Sequence, residues 1–387
     1  MTLIFRNFRF GYQLRSKLIS NSEKALCTTI PTEMNLQECV GRLNKLASPS
    51  LAGSWDNVGL LVEPTPPHTV TKLFLTNDLT EDVLEEAIVE KSSMILSYHP
   101  PIFTALKRLT MATFKERIIV KAIENRIAIY SPHTAYDTVN DGLTDWLALA
   151  PGNGVINVVN ANATTRDYCT SEDHRIEVTE LKQSEAFKLK DHLARKCNIQ
   201  TSQIYNQVNT DGSNNTELSL SFACDSSNLA NVVDEIHKMN ASKKTHITQL
   251  EKAVIPGAGM GRINTLNAET ALKDIIKSTK KHLGVGYLGV AYGRGKNSES
   301  MVKTVAVCAG SGSSVLIGVP ADLYITGEMS HHELLEINSQ GISVILSNHS
   351  NSERAYLKIL KKQLEKIMEG KVDVMVSEVD ADPLVTV

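Results

Sequence analysis

From residue 73 onward, short unbroken apolar runs alternate with amphipathic stretches. Residues 73–76, 94–97 and 127–130 are apolar runs of strand length, while residues 80–92, which open on an Asp/Glu-rich turn, and residues 114–125 carry helical spacing. The pattern returns near the C-terminus, with strands predicted over 302–308, 321–325, 342–346 and 372–376, and helices over 329–338 and 352–368. A strand buried on both faces reads as a continuous apolar run, so this alternation predicts an α/β fold of parallel-rich sheets with flanking helices. Residues 160–255 have a different texture. They are polar, with a turn-rich centre at 209–216 flanked by strands predicted over 175–179 and 217–223 and helices over 184–197 and 227–240. That order predicts a small α+β domain inserted into the larger one. The chain then divides into a tail at 1–28, a first core segment at 29–158, an insert at 159–255 and a second core segment at 256–387.

The strands run directly into ionisable residues. Residues 73–76 lead to Asn77-Asp78, residues 94–97 to Tyr98-His99-Pro100-Pro101, and residues 127–130 to His133 and Asp137. Residues 342–346 lead to His349 and Glu353, and residues 321–325 to Glu328, with His331 and His332 close behind. Carboxyl ends of strands form the ligand crevice of open α/β sheets, so neighbouring strands would bring these groups to one edge. A single histidine after a strand is usually a surface or hydrogen-bonding residue. Three of them, each beside a carboxylate or a proline turn, point to a shared role. Imidazole and carboxylate together suit zinc, iron or manganese. His133-x-x-x-Asp137 and His349-x-x-x-Glu353 repeat one spacing, which on a helical turn returns both side chains to one face. With His99 they offer enough donors for one saturated divalent metal or two with open positions.

Composition narrows the choices. Apolar residues make up 42% and charged residues 21%, ordinary for a globular chain, and the formal net charge of −3 comes with no basic stripe. Direct nucleic-acid binding is therefore not expected. The 6 cysteines are scattered without a CxxC pair, so neither a thiolate zinc site nor a disulfide framework is indicated. Reduced thiols in the cytoplasm or nucleus are the expectation. No apolar run reaches bilayer length. Residues 1–22 contain Arg6, Arg9, Arg15 and Lys17, no acidic residue and interleaved aromatics, a composition resembling a mitochondrial transit peptide; a frayed tail is the plainer alternative.

Five segments taken in order carry a family resemblance: Ser54-Trp-Asp-Asn-Val-Gly-Leu-Leu61, Ser97-Tyr-His-Pro-Pro-Ile-Phe103, His133-Thr-Ala-Tyr-Asp137, Thr326-Gly-Glu-Met-Ser-His-His332 and His349-Ser-Asn-Ser-Glu353. Together they resemble the motif set of the Nif-three-like family, whose members are also labelled GTP cyclohydrolase one, type 2. The resemblance runs over about residues 35–387 and is nearest to the animal members. It implies an interlinked α/β core, a ring-like homo-oligomer, a two-metal site, and an inserted domain of ferredoxin-like form. It carries the metal ligands onto His99, His133, Asp137, His349 and Glu353. Many bacterial members have two adjacent histidines before the proline, whereas here the first is Tyr98, and a neutral phenol with a pKa near 10 is a poor ligand. That departure weighs towards a weakened second metal.

Two functions are open at this stage. One is a metal-dependent hydrolase of a phosphorylated or nucleotide-like small molecule, in which Asp137 or Glu353 bridges metals or takes a proton and Tyr98 hydrogen-bonds a metal-bound water or the substrate. The other is a metal-bearing scaffold or regulator with protein partners in transcription. Weaker signals surround the site. Gly310-Ser-Gly312 reads as a phosphate-contacting turn or a tight packing turn. Trp55-Asp56-Asn57 reads as a turn burying an aromatic or as part of the crevice. Glu328, His331 and His332 read as groups orienting the ligands or as ordinary helix surface. The basic run at 358–366 lies on an amphipathic helix with a solvated face.

Overall fold

The computed structural model describes residues 34–161, 172–208, 214–239, 245–250 and 254–385; the basic segment 1–22, Cys27 and Cys169 lie outside the described residues. Two mixed sheets form the core. The first has five strands in the order Asp373–Val376, Lys72–Thr76, Met94–Ser97, Ala128–Ser131 and Gly59–Val62, parallel except for the last. The second has six, ordered Gly289–Ala291, Ser343–Leu346, Leu323–Thr326, Met301–Cys308, Met260–Ala271 and Gly154–Asn160. Its three central neighbours, from Ser343–Leu346 to Met301–Cys308, are parallel and the outer strands antiparallel.

The period of two in each strand explains the continuous apolar runs. Leu73, Leu75, Met94, Leu96 and Tyr130 share one buried cluster with Val305, Val307, Leu323, Ile325 and Ile345 of the other sheet. Their alternates Phe74, Ile95 and Ile129 join a second cluster, roofed by Val83, Leu84, Ile118 and Ile119 of the helices Glu81–Val89 and Phe114–Glu124. On the far side Ala306, Tyr324 and Val344 pack with Ile337 of the helix His331–Ser339. Each fully buried Leu, Ile or Phe contributes about 1.5–3 kcal/mol of transfer free energy, so both faces of both sheets are strongly specified. The final strand, Asp373–Val376, returns to pair with Lys72–Thr76. That closure interlinks the two halves of the chain and lays the residues after it beside the carboxyl ends of the first sheet.

The intervening segment is built as strand His174–Leu181, helix Gln183–Cys197, strands Ser202–Val208 and Asn214–Cys224, helix Ser226–Lys238 and strand Thr245–Gln249. Its sheet is wholly antiparallel and has its own core, including Ile176, Leu189, Leu220, Val232 and Ile236. This βαββαβ order is the ferredoxin-like arrangement. Sequence patterning missed the strands Ser202–Val208 and Thr245–Gln249, whose largely polar positions carry little apolar alternation. Asn160 pairs with Met260, so the segment leaves and re-enters the core at adjacent points. Behind that junction Arg262 is buried, with Nε and Nη2 on Asp145 at 2.6 and 2.9 Å and other donations to the carbonyls of Gly257, Gly259 and Gly261.

The helix predicted over 352–368 is regular only over Leu357–Ile367; tight 3-10 turns at Ser350–Ser352 and Arg354–Tyr356 precede it. Among the described residues no helix is long and apolar enough to cross a membrane.

Candidate metal centre

The ionisable strand ends meet, but across two sheets and not along one. His99 and His133 follow strands of the five-stranded sheet, whereas His349, Glu353 and Glu328 follow strands of the six-stranded sheet. His99 Nε2 lies 3.5 Å from Glu353 Oε2, and His349 Nε2 lies 3.6 Å from Glu353 Oε1. One donor atom from each of these three residues falls within 4.8 Å of the other two. Separations of 3.5–3.6 Å are long for hydrogen bonds. They suit ligands of a common ion, since donors about 2.1 Å from a tetrahedral cation stand roughly 3.4 Å apart.

The His133 and Asp137 half adjoins this triad. The rings of His133 and His99 are 5.3 Å apart between centroids, and those of His99 and His349 are 5.2 Å apart, so the imidazoles form a row with His99 in the middle. His133 sits at φ 34°, just ahead of the helix Thr134–Thr138 that carries Asp137. Such a conformation costs an L-residue about 1–3 kcal/mol and persists where surroundings enforce it. Neither spaced pair therefore lies on one regular α-helix, as the sequence spacing suggested. Strand-end turns bring the donors into the crevice instead.

Every imidazole of the row is tethered from behind. Nδ1 of His99 is 2.9 Å from Asp78 Oδ1, Nδ1 of His133 is 2.7 Å from Asp56 Oδ1, and Nδ1 of His349 is 2.8 Å from Glu328 Oε1. Burial works against ionisation of Asp56 and Asp78, yet hydrogen bonds from His133 and Thr134, and from His99 with Asn77, hold both below the ordinary carboxylate range. Glu328 is likewise lowered, by Ser311 and then His349. An ionised carboxylate can only accept, so Nδ1 carries the proton and the Nε2 lone pair is left for a ligand role. Carboxylate-tethered histidines of this kind typify metal sites.

The inner carboxylates behave oppositely. Burial pushes Glu353 well above the usual range and repulsion from Asp137 adds to it; Asp137 is raised by burial despite a 2.7 Å hydrogen bond from the Tyr98 hydroxyl. Asn77 Nδ2 donates to Glu353 Oε2 at 3.1 Å, while Asn77 Oδ1 and Asn348 Nδ2 are buried without a hydrogen-bond partner among the described residues. Two buried anions facing one another beside imidazole lone pairs form a site that a divalent cation fits. Tyr98 does not stand as a free phenol: its hydroxyl is committed to Asp137, a positioning contact that sequence alone left open. Zinc, iron and manganese all suit this donor chemistry.

Backbone closeness completes the site. A Cβ on Gly310, at φ 58°, would lie 3.0 Å from both Glu353 Oε1 and His349 Nε2. The Gly310-Ser-Gly312 turn thus reads as close packing against the donors; the helix after it spans only Ser313–Leu316, too short for an anion site at its N-terminus. His331 and His332 are exposed on their helix and touch each other, leaving Glu328 alone of that group as an orienting residue. Trp55, expected in one reading to be buried, is 63% exposed, and its neighbour Asp56 reaches the site instead. An open cleft of about 430 Å³ leads out past Asp78, His99, Glu328 and His349, walled by Asp382 and Leu384 of the C-terminal tail. The tail is anchored by Asp380, which accepts from Asn77 N at 2.6 Å and Arg354 Nε at 3.2 Å. Sequence patterning held no signal for this clamp, because Asn77 lies 303 residues from Asp380 and Arg354 lies 26, neither a spacing with a local period.

Known proteins share this architecture. The family profile described as Duf34/NIF3 (NGG1p interacting factor 3) matches residues 34–383. The chain is 46% identical over 352 residues to the NIF3-like protein 1 of Bos taurus, covering 91% of this chain and 92% of that protein. The protein named NGG1-interacting factor 3 in Saccharomyces cerevisiae is 28% identical over 366 residues, 91% of this chain and 97% of its own length. A crystal structure of a Bacillus cereus protein related to NIF3 superposes with a TM-score of 0.63 at 24% identity, covering 91% of this chain and 99% of that one.

Proposed function

The chain belongs to the Duf34/NIF3 family, and from that premise and the geometry of its crevice we propose that it is a divalent-metal-dependent hydrolase of a nucleotide-like or phosphorylated small molecule. One observation carries the reading: His99 and His349 present Nε2 to the two oxygens of one buried carboxylate, Glu353, at 3.5 and 3.6 Å. His133 and Asp137 are the further ligands we assign, one step along the imidazole row. A bound divalent cation supplies Lewis acidity and lowers the pKa of water towards neutrality. The chain's own groups do the rest. Asp78, Asp56 and Glu328 fix the imidazole tautomers, Tyr98 holds Asp137 through Oδ1, and Asn77 holds Glu353 through Oε2. Asp137 and Glu353, both raised by burial in the metal-free site, are the carboxylates we assign to bridge metals or to take a proton.

The name of the yeast relative favours a second reading, in which the metal centre stabilises a scaffold for protein partners. The net charge of −3 is consistent with contacts to proteins. A single experiment separates the two. Metal content is measured by mass spectrometry on wild type and His349→Ala, followed by hydrolysis of nucleotide and sugar phosphates with and without chelator. The hydrolase reading expects metal in the wild type, most of it lost in His349→Ala, and chelator-sensitive turnover. Metal without turnover on any phosphate ester would leave the scaffold; wild-type metal content in His349→Ala would remove the site assignment itself.

A further inference from the structure

Beside the row of imidazoles stand two aromatic side chains that the fold does not bury. Trp55 is 63% exposed and Phe103 is 44% exposed. Their ring centroids are 6.1 Å apart at 58°, so they form an open V with neither ring covering the other's face. Each meets His133 edge-on, Trp55 at 6.1 Å and 83°, Phe103 at 6.4 Å and 80°. From His133 the next ring in the row, His99, is 5.3 Å further on.

These rings are held in place. A Cβ on Gly53 would lie 2.8 Å from Trp55 Nε1, so glycine there is what allows the indole to lie against the backbone. The residue after Trp55 is Asp56, bonded to His133 Nδ1 at 2.7 Å and Thr134 Oγ1 at 2.5 Å, which ties the indole's loop to a candidate ligand. Asn57 Nδ2 donates to Ile102 O at 2.5 Å, joining that loop to the one carrying Phe103. Large apolar rings that are exposed and yet locked beside a row of imidazoles have the form of a preorganised binding surface.

We infer that Trp55 and Phe103 form the platform on which a planar heteroaromatic ring of the substrate stacks, which narrows the substrate class to base-bearing molecules such as nucleotides. The inference rests on the metal-dependent reading above, and it adds the recognition of a flat ring to the recognition of a polar group. The occupant is a small ring and not a protein surface, because both rings of the V meet His133, the first imidazole of the row, and so set a stacked ligand beside the polar donors. Every base has a π-face, so stacking selects for the presence of a base more than for its identity.

The test uses tryptophan fluorescence. The chain has 2 tryptophans, and Trp146 packs against His282 and Tyr356, so Trp146→Phe leaves Trp55 as the only reporter. Full-length, metal-loaded protein is titrated with guanosine, adenosine and cytidine 5′-monophosphates, and with ribose 5-phosphate as the probe lacking a base. The expected result is saturable quenching by the nucleotides and none by ribose 5-phosphate. Calorimetry on the protein with Trp146 intact should show Trp55→Ala binding nucleotide about tenfold more weakly, as loss of one stacked base predicts, and Trp55→Phe within about threefold of wild type. Equal affinity for nucleotide and ribose 5-phosphate, or nucleotide affinity unchanged in Trp55→Ala, overturns the platform. Fluorescence that shifts with protein concentration and ignores nucleotide overturns it in favour of a second copy covering the rings. Metal content measured on the same samples judges the metal reading separately, so the two can fail independently.

Discussion

Gly310→Ala is the smallest change that should empty the metal centre while leaving the fold standing. The added methyl carbon would lie 3.0 Å from Glu353 Oε1, 3.0 Å from His349 Nε2 and 3.2 Å from His349 Cε1. Donor-to-cation distances are about 2.0–2.2 Å, so an ion shared by those two atoms must compete with the methyl for the same space. Alanine must also hold φ 58°, a conformation that costs an L-residue about 1–2 kcal/mol over glycine. On that scale the metal-free variant should melt only a few degrees lower, at roughly 2–4 °C per kcal/mol for a chain of this size class. Metal affinity should fall far more, by about a hundredfold, comparable to or beyond the loss from removing an orienting partner. The assay is calorimetric titration with zinc or manganese, run beside thermal melts of metal-free and loaded protein. The wild type should gain melting temperature on loading and the variant almost none. A variant that titrates like wild type would refute the placing of an ion between His349 and Glu353. A gross loss of folding in the metal-free variant would show that Gly310 serves the core first.

Three further outcomes follow from named contacts. Tyr98→Phe removes the 2.7 Å donor to Asp137 and leaves a buried acceptor unpaired, at a cost of about 1–3 kcal/mol; hydrolysis should drop while the His99, His349 and Glu353 triad keeps its metal, and loss of all metal would place Tyr98 deeper in the site. Glu353 and Asp137 are raised by burial, so in the metal-free fold their contribution to stability is full below the unfolded carboxylate pKa and is lost as pH rises through the raised values; metal binding needs the anions, so uptake should release protons and strengthen with pH, as titration in buffers of different protonation enthalpy would measure, and zero release would contradict it. Replacing residues 162–253 by a short Gly/Ser linker should leave a folded, metal-competent core, because Asn160 and Met260 are paired neighbours, whereas a cut extending past Gly257 removes a carbonyl that Arg262 needs; an insoluble product from the shorter cut would make the inserted segment integral.

The parts of this protein that were legible in its sequence are those with a short period. Unbroken runs such as 73–76 and 94–97 were readable as doubly buried strands because alternate residues feed different cores, and the helices Glu81–Val89 and Phe114–Glu124 announced themselves by an acidic first turn in the one and by apolar spacing in both. Polar edge strands such as Thr245–Gln249 carry no such signal, since only one face is packed. At the site, the histidines were visible as residues placed after strands. Their partners were visible only as nearby polar letters: Asp56 within a motif, Asp78 after a strand, Glu328 before a helix. Which carboxylate would sit behind a ring and which would face it is decided by burial, a tertiary property. Gly310 was noticed for its spacing and left open between a phosphate-contacting turn and a tight packing turn, because a glycine that grips phosphate and a glycine that makes room for a carboxylate look alike in one dimension.

That difference between carboxylates separates two roles at the centre. Asp56, Asp78 and Glu328 are stabilised as anions by the histidines they hold, so they contribute orientation at any ordinary pH. Asp137 and Glu353 are held where the anion is disfavoured until a cation arrives. A cation that reaches them must displace whatever protons the burial retains, so its binding is coupled to proton release. The donors also come from two sheets whose shared core is already complete, with Leu75 and Leu96 on one side and Val307 and Ile325 on the other fully buried. Ion binding therefore adds to a fold that does not depend on it: at a free concentration a hundredfold above Kd it would contribute about 2.7 kcal/mol. A prebuilt centre of this kind takes up an ion without rebuilding its walls, so loss of metal in Gly310→Ala should leave the core around Leu75 and Val307 unchanged.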